Sequence, residues 1–208
     1  MALLTERIEC KELLDKLMPV EEAVKFVSDR CKIAISGFTK TGEPKTFLPA
    51  LARYLQQYAP KTKIGLFSGA SLSENVEDPI ASFVGKRGPY MSSTVSRKMI
   101  NAGEMDFTDV HLSSFARNLA YGFYGGIDLA VVEVSRIRPD GSVILSGSVG
   151  ISAEALKCSQ KDNPRSESDD SRLYGISRHL SSECSSACRV ADSHRQCGRP
   201  GRHPLCGD

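Results

Sequence analysis

The chain changes character at Lys161, and that break limits what can fold. Up to it there are 12 Lys and 8 Arg, and apolar residues recur at strand and helix spacing. The 47 residues from Asp162 to Asp208 hold 7 Arg, 9 Ser and no Lys, with four of the seven Cys and three of the four His. A core needs apolar residues at a regular period, and none persists past Lys161. The first 161 residues therefore carry about one domain's worth of core. A displaced reading frame produces so abrupt a change. Shifting by one base leaves only the middle base of each new codon free, so few residues are possible at each position. Codons exist for Asp162 to Tyr174 whose shifted frame reads Ile-Ile-Leu-Glu-Val-Asn-Gln-Thr-Ile-Pro-Asp-Phe. For Asp192 to Asp208 they can read Ile-Pro-Ile-Asp-Asn-Val-Gly-Asp-Arg-Val-Gly-Thr-Pro-Tyr-Val-Glu-Ile. The first begins as an apolar, β-branched strand. The expectation is a native unit over 1–161 and a non-native, frameshifted, disordered tail over 162–208.

Bulk properties exclude several classes. A net charge of +2 is too small to imply nucleic acid or an anionic membrane surface as partner. No apolar run approaches the roughly 20 residues of a membrane span. The N-terminus carries Glu6, Glu9, Glu12 and Asp15, which fits neither a signal peptide nor an acid-poor transit peptide. The expected compartment is the cytoplasm, or the mitochondrion for a eukaryotic source. Before Asp162 only Cys10, Cys31 and Cys158 occur, far apart, a reduced usage rather than a disulfide framework. Cys10 and Cys31 sit among apolar residues and read as core.

Strands alternate with helices. Thr5 can cap a helix running to about Lys16, and Pro19 starts a second one marked by Val20, Ala23, Val24 and Val27. Lys32 to Ser36 is a short strand ending at Gly37. A helix follows with Phe47, Leu48, Leu51, Tyr54, Leu55 and Tyr58 on its buried side. Lys63 to Phe67 is the next strand. A helix near Val76 to Val84, a Gly88-Pro89 turn and a helix from Thr94 to about Ala102 come after it. Asp128 to Val134 is almost unbroken apolar, as in a sheet covered on both faces. Arg138-Pro139-Asp140-Gly141 is a turn, with Val143 to Leu145 as hairpin partner and a last helix from Ser152. The fold class expected is α/β, with a largely parallel sheet flanked by helices.

In open α/β sheets ligands bind beyond the carboxyl ends of the strands. Two such ends are glycine-rich: Ser36 to Thr39 with Gly42 to Lys45, and Ser68 to Ser71. Small residues admit a ligand to the backbone, and free N–H groups can hold an anion or a polarised carbonyl, although strand-end turns need glycine without any ligand. Gly37 and Gly42 have P-loop spacing, but Glu43-Pro44 replaces the required Lys and hydroxyl, which rejects a nucleotide triphosphatase. No G-x-S-x-G elbow favours a serine hydrolase. Asp106, Asp109 and His111 read as a solvated turn rather than metal ligands, and Arg97 with Lys98 as a solvated helix face. In the tail, Cys184, Cys188, His194, Cys197, His203 and Cys206 lack paired C-x-x-C knuckles, so a zinc site there is the minority reading.

Four stretches make a further reading possible: Ser36 to Lys45; Ser68 to Asp78; Arg97 through Asn101-Ala102-Gly103-Glu104 to Ser113; and Asp128 to Val134 with Gly141 to Ser152. In order and spacing they resemble the acetyl-CoA hydrolase/CoA-transferase family across about residues 20 to 160, and the shifted tail readings are similar to its continuation. The resemblance implies ping-pong transfer of CoA between a short-chain acyl-CoA and a carboxylate through a glutamyl intermediate, with net acetyl-CoA hydrolysis as the alternative. It places the glutamate nucleophile in the C-terminal half, so no catalytic residue, metal or cofactor is expected here, and coenzyme A is a substrate. The partners it implies are acyl-CoA and small carboxylates, in a full-length homodimer. Gly37, Phe38, Thr39, Gly42, Lys45, Gly69, Ala70 and Ser71 would form part of the acyl or carboxylate pocket. Glu43, Glu104 and Glu133, which sit in N-terminal motifs, would support the pocket residues from behind or be structural. On this reading the 208-residue chain lacks transferase activity. A non-catalytic fragment with a metal-binding tail is the remaining alternative.

Overall fold

The computed structural model describes residues 7–14, 17–159, 173–174 and 187–191. The first sheet strand is β1 (Lys32–Ile35), and its alternation sets the architecture. Ile33 and Ile35 point into one hydrophobic layer and Ala34 into another, and all three are inaccessible to solvent. A strand buried on both faces must lie inside a sheet sandwiched by helices. β2 (Ile64–Phe67) and β3 (Val84–Gly88) extend the sheet on one side of β1 in parallel, followed by β4 (Asp106–Phe107). β5 (Leu129–Ile137) returns to pair in parallel on the other side of β1. With β6 (Val143–Leu145), β7 (Leu173–Tyr174) and β8 (Ala187–Ala191), the sheet order is β4-β3-β2-β1-β5-β8-β7, and β6 also pairs with β5. The fold is α/β with a largely parallel sheet flanked by helices.

The crossover helices cover the two faces. Short α1 (Lys11–Leu14) lies near the start, and α2 (Val20–Ala23) continues as a 3₁₀ turn. α3 (Phe47–Tyr58) joins β1 to β2, burying Phe47, Leu48, Leu51 and Leu55. Those spacings of one, four and eight make one helical stripe, and each fully buried leucine contributes about 1.5–3 kcal/mol. α4 (Glu74–Glu77) runs into a 3₁₀ segment, Asp78–Phe83, and α5 (Thr94–Asn101) connects β3 to β4. This set shares a core with Ile33, Ile35, Leu66 and Val131. α6 (Leu112–Ala120) and α7 (Ser152–Cys158) cover the other face, over Ala34, Phe67 and Ala130. Phe67, Phe115 and Tyr124 stack there with centroids 5.2–6.2 Å apart. Cys10, Cys31 and Cys158 are buried. No helix among the described residues is long and apolar enough to cross a membrane.

Several elements differ from the sequence expectation. Of the helix expected over Thr5 to Lys16, the described part is helical only at Lys11–Leu14. Ile8 instead bridges Ile137, with Glu9 N–H on the Ile137 carbonyl at 2.9 Å. A long-range strand edge satisfies this backbone better than an isolated helical turn would. Tyr58 is exposed rather than buried. The stretch read as a helix over Val76 to Val84 is a short α turn, a 3₁₀ segment and then β3, which with β4 and α6 the sequence reading did not resolve. The backbones of β7 (Leu173–Tyr174) and β8 (Ala187–Ala191) pair antiparallel with each other, and β8 with Ala130 to Glu133 of β5. Cys188 lies in β8; the rest of the expected disordered tail, with Cys184, His194, Cys197, His203 and Cys206, lies outside the described residues.

Candidate functional site

Strand order reverses at the β1/β5 pair, so the crevice a ligand would use lies beyond the carboxyl ends of those strands. Ser36 closes this point from within. Its hydroxyl donates to the Gly42 carbonyl at 2.7 Å and accepts the Glu133 N–H at 2.8 Å, tying the loop after β1 to β5. Between these anchors the chain makes a tight turn. Phe38 and Thr41 exchange backbone hydrogen bonds, and Thr39 and Lys40 sit at φ +48° and +74°. Two consecutive left-handed residues without glycine define a mirror-type turn held against its own preference. The Ser148 hydroxyl donates to the Thr41 carbonyl at 2.7 Å and helps hold it.

Three buried carboxylates organise the surrounding loops. Both oxygens of Glu43 accept from Ser73, one from its N–H at 2.7 Å and one from its hydroxyl. Glu133 accepts from the Ser146 hydroxyl at 3.0 Å. Glu77 accepts the Leu72 N–H at 2.8 Å and pairs with Arg87, whose Nε lies 2.9 Å away. Arg87 is wholly buried, and it also donates to the Gly88 carbonyl at 2.6 Å and the Ser68 hydroxyl at 2.7 Å. One guanidinium thus joins α4, the end of β3 and the loop after β2, with its donors spread over three partners. Ser71 continues the link: its N–H donates to the Tyr90 carbonyl at 3.2 Å, and its hydroxyl accepts the Ser92 N–H at 2.7 Å.

The residues singled out in the sequence are partly brought together. A Cβ at Gly37, where φ is +126°, would stand 2.6 Å from Leu72; at Gly42, 2.7 Å from the Ser148 hydroxyl; at Gly69, 3.3 Å from the Phe38 ring. Glycine is needed here because the loops after β1, β2 and β6 pack on one another. Ala70 and Ser71 are buried beneath them, Phe38 is half-buried, and Thr39 and Lys45 are exposed. Among the described residues the Gly69 and Ala70 N–H groups donate no hydrogen bond. Glu104, Asp106, Asp109 and His111 are exposed, and no described group of three His, Cys, Asp or Glu could hold a metal. The Glu77–Arg87 pair escaped the sequence reading. Its one usable signal is that a strand must separate two consecutive helices in an alternating α/β chain.

A sequence model of the acetyl-CoA hydrolase/transferase N-terminal domain matches residues 1–164. The chain belongs to this family. Its relatives include the propanoyl-CoA:succinate CoA transferase of Escherichia coli K12, 40% identical over 138 residues, 64% of this chain and 28% of the relative. The acetyl-CoA hydrolase of Kluyveromyces lactis is 33% identical over 169 residues, 76% of this chain and 32% of the relative. A solved acyl-CoA transferase from Escherichia coli O157:H7 aligns with a TM-score of 0.46 at 13% identity, over 84% of this chain and 32% of its own. The chain spans about a third of the length of the curated relatives it matches.

Proposed function

We propose that residues 1–161 are the N-terminal lobe of an enzyme that moves CoA between a short-chain acyl-CoA and a carboxylate. One observation carries this reading. Three of the four stretches that make the family resemblance fold onto one another at the carboxyl ends of β1, β2 and β5. In the reaction, a glutamate outside this lobe attacks the acyl carbonyl, the C–S bond breaks, and CoA leaves as a thiolate. The thiolate then attacks the resulting anhydride at the glutamyl carbonyl, releasing the acyl group as a carboxylate and leaving a glutamyl-CoA thioester, which an incoming acid resolves by the reverse steps. Within this lobe, Glu43 and Glu77 have both oxygens committed to hydrogen bonds and make poor nucleophiles.

The lobe supplies one wall of the acyl or carboxylate pocket, through Gly37, Phe38, Thr39, Gly42, Lys45, Gly69, Ala70 and Ser71. The uncommitted Gly69 and Ala70 N–H groups are its donors for a substrate oxygen. The tail after Lys161 is read as out of frame, so this chain lacks transferase activity, whereas a frame-restored protein has it as a cytoplasmic homodimer. The test incubates propanoyl-CoA with isotope-labelled acetate and follows the label. With the frame restored, labelled acetyl-CoA forms only when acid is present, and the 208-residue chain forms none. Free CoA released without any acid acceptor would favour the second reading, net hydrolysis, which the names of several relatives support. Neither product from the restored protein would overturn both. Stoichiometric zinc in the purified 208-residue chain would point instead to the metal-tail alternative.

A further inference from the structure

Tyr90 follows Pro89 at the end of β3 with φ of +54°, a left-handed backbone that a bulky side chain rarely adopts. It is 60% exposed. Among the described residues its phenol makes no hydrogen bond and its ring meets no other ring. A turn that needed only this φ would use glycine or asparagine, which adopt it at lower cost and expose no aromatic surface. The conformation is imposed from the candidate site. The Tyr90 carbonyl accepts the Ser71 N–H at 3.2 Å and its hydroxyl at 3.5 Å, while the same hydroxyl receives the N–H groups of Ser92 and Ser93 at 2.7 and 3.4 Å. These bonds fix the residue at the rim of the Ser68–Ser71 loop.

We infer that Tyr90 is a substrate-contacting residue, with its ring packing on the short acyl chain of an acyl-CoA held at this loop. Strain and exposure persist together where a contact from outside the lobe offsets them. The inference rests on the CoA-transferase reading, and its test separates the two. The 208-residue chain, carrying ¹³C-labelled tyrosine, is titrated with propanoyl-CoA while ring and backbone amide signals are followed; Tyr90→Phe identifies the ring signal. The Tyr90 ring should shift with the Gly69 to Ser71 amides. Tyr90→Gly should bind roughly two- to tenfold more weakly, the worth of one aromatic contact, without a lower melting temperature. A packing residue would lose stability and affinity together, and that result overturns the inference. Loop amides that shift while the Tyr90 ring stays still, or unchanged affinity in Tyr90→Gly, overturn it and leave the CoA reading intact. If no signal moves, the inference fails, and the CoA reading stands or falls on the label-transfer test with the frame-restored protein.

Discussion

Arg87→Met should be among the most damaging single changes in this lobe, and its size can be worked from the contacts. The substitution removes the 2.9 Å and 3.3 Å bonds to Glu77 and leaves that buried carboxylate with the Leu72 N–H alone. It also strips the Ser68 hydroxyl of a 2.7 Å donor and the Gly88 carbonyl of a 2.6 Å donor. Removing one partner of a buried pair costs about 3–5 kcal/mol, because the surviving charge stays desolvated. That is a large share of the 5–15 kcal/mol typical of a whole domain. Removing the second charge as well, in Arg87→Met with Glu77→Leu, should recover about 1 kcal/mol or more relative to the sum of the single changes. Urea denaturation of the wild type, the two single variants and the double variant supplies all four corners of the cycle. If Arg87→Met costs under about 1 kcal/mol, or the cycle is additive, the pair does not hold these loops together.

Three further outcomes follow from the same geometry. Gly37→Ala places a Cβ 2.6 Å from Leu72 at φ +126° and should destabilise by about 1–3 kcal/mol from backbone strain alone; an unchanged melting temperature would contradict the loop packing. Ser36→Ala leaves the Gly42 carbonyl and the Glu133 N–H without their partner and should cost about 1–3 kcal/mol, with faster hydrogen exchange at the Glu133 amide. Ser142, through its side chain first and its backbone N–H at 2.9 Å second, with Arg138 nearby, holds the Asp140 carboxyl below its ordinary value of 3.8. A lowered folded-state value means the carboxylate supports the turn above the unfolded-state value and that support is lost as pH falls through the folded one. An NMR titration should place the Asp140 midpoint below 3.8, and a midpoint at or above it would contradict the bond to Ser142.

The parts legible in the sequence are those whose burial is apolar. β1, β2 and β5 are covered on both faces, so their residues form apolar runs that read as strands without any structure. The β5–β6 hairpin was legible from Arg138 to Gly141, because proline, aspartate and glycine each suit one position of the turn. β3 was not, since Arg87 is the largest side chain it buries and an ion pair does the work of an apolar residue. Local spacing makes Ile8 look helical, because its partner, Ile137, is remote in sequence. The site loops were found from their glycines. Read from sequence, those glycines leave room for a ligand; in the fold, neighbouring loops fill the space a Cβ would take at Gly37, Gly42 and Gly69, while the Gly69 N–H keeps no partner among the described residues. Tyr90 gave no signal, since its strain exists only in the folded backbone.

Sequencing the source gene through the Lys161 codon decides whether residues 162–208 belong to the native reading frame. The expected result is one base missing or added there, so that the corrected frame continues with an apolar strand and the rest of a CoA-transferase. An uninterrupted frame encoding Asp162 to Asp208 as they stand would contradict it, and this lobe would then be a family member whose tail is its own.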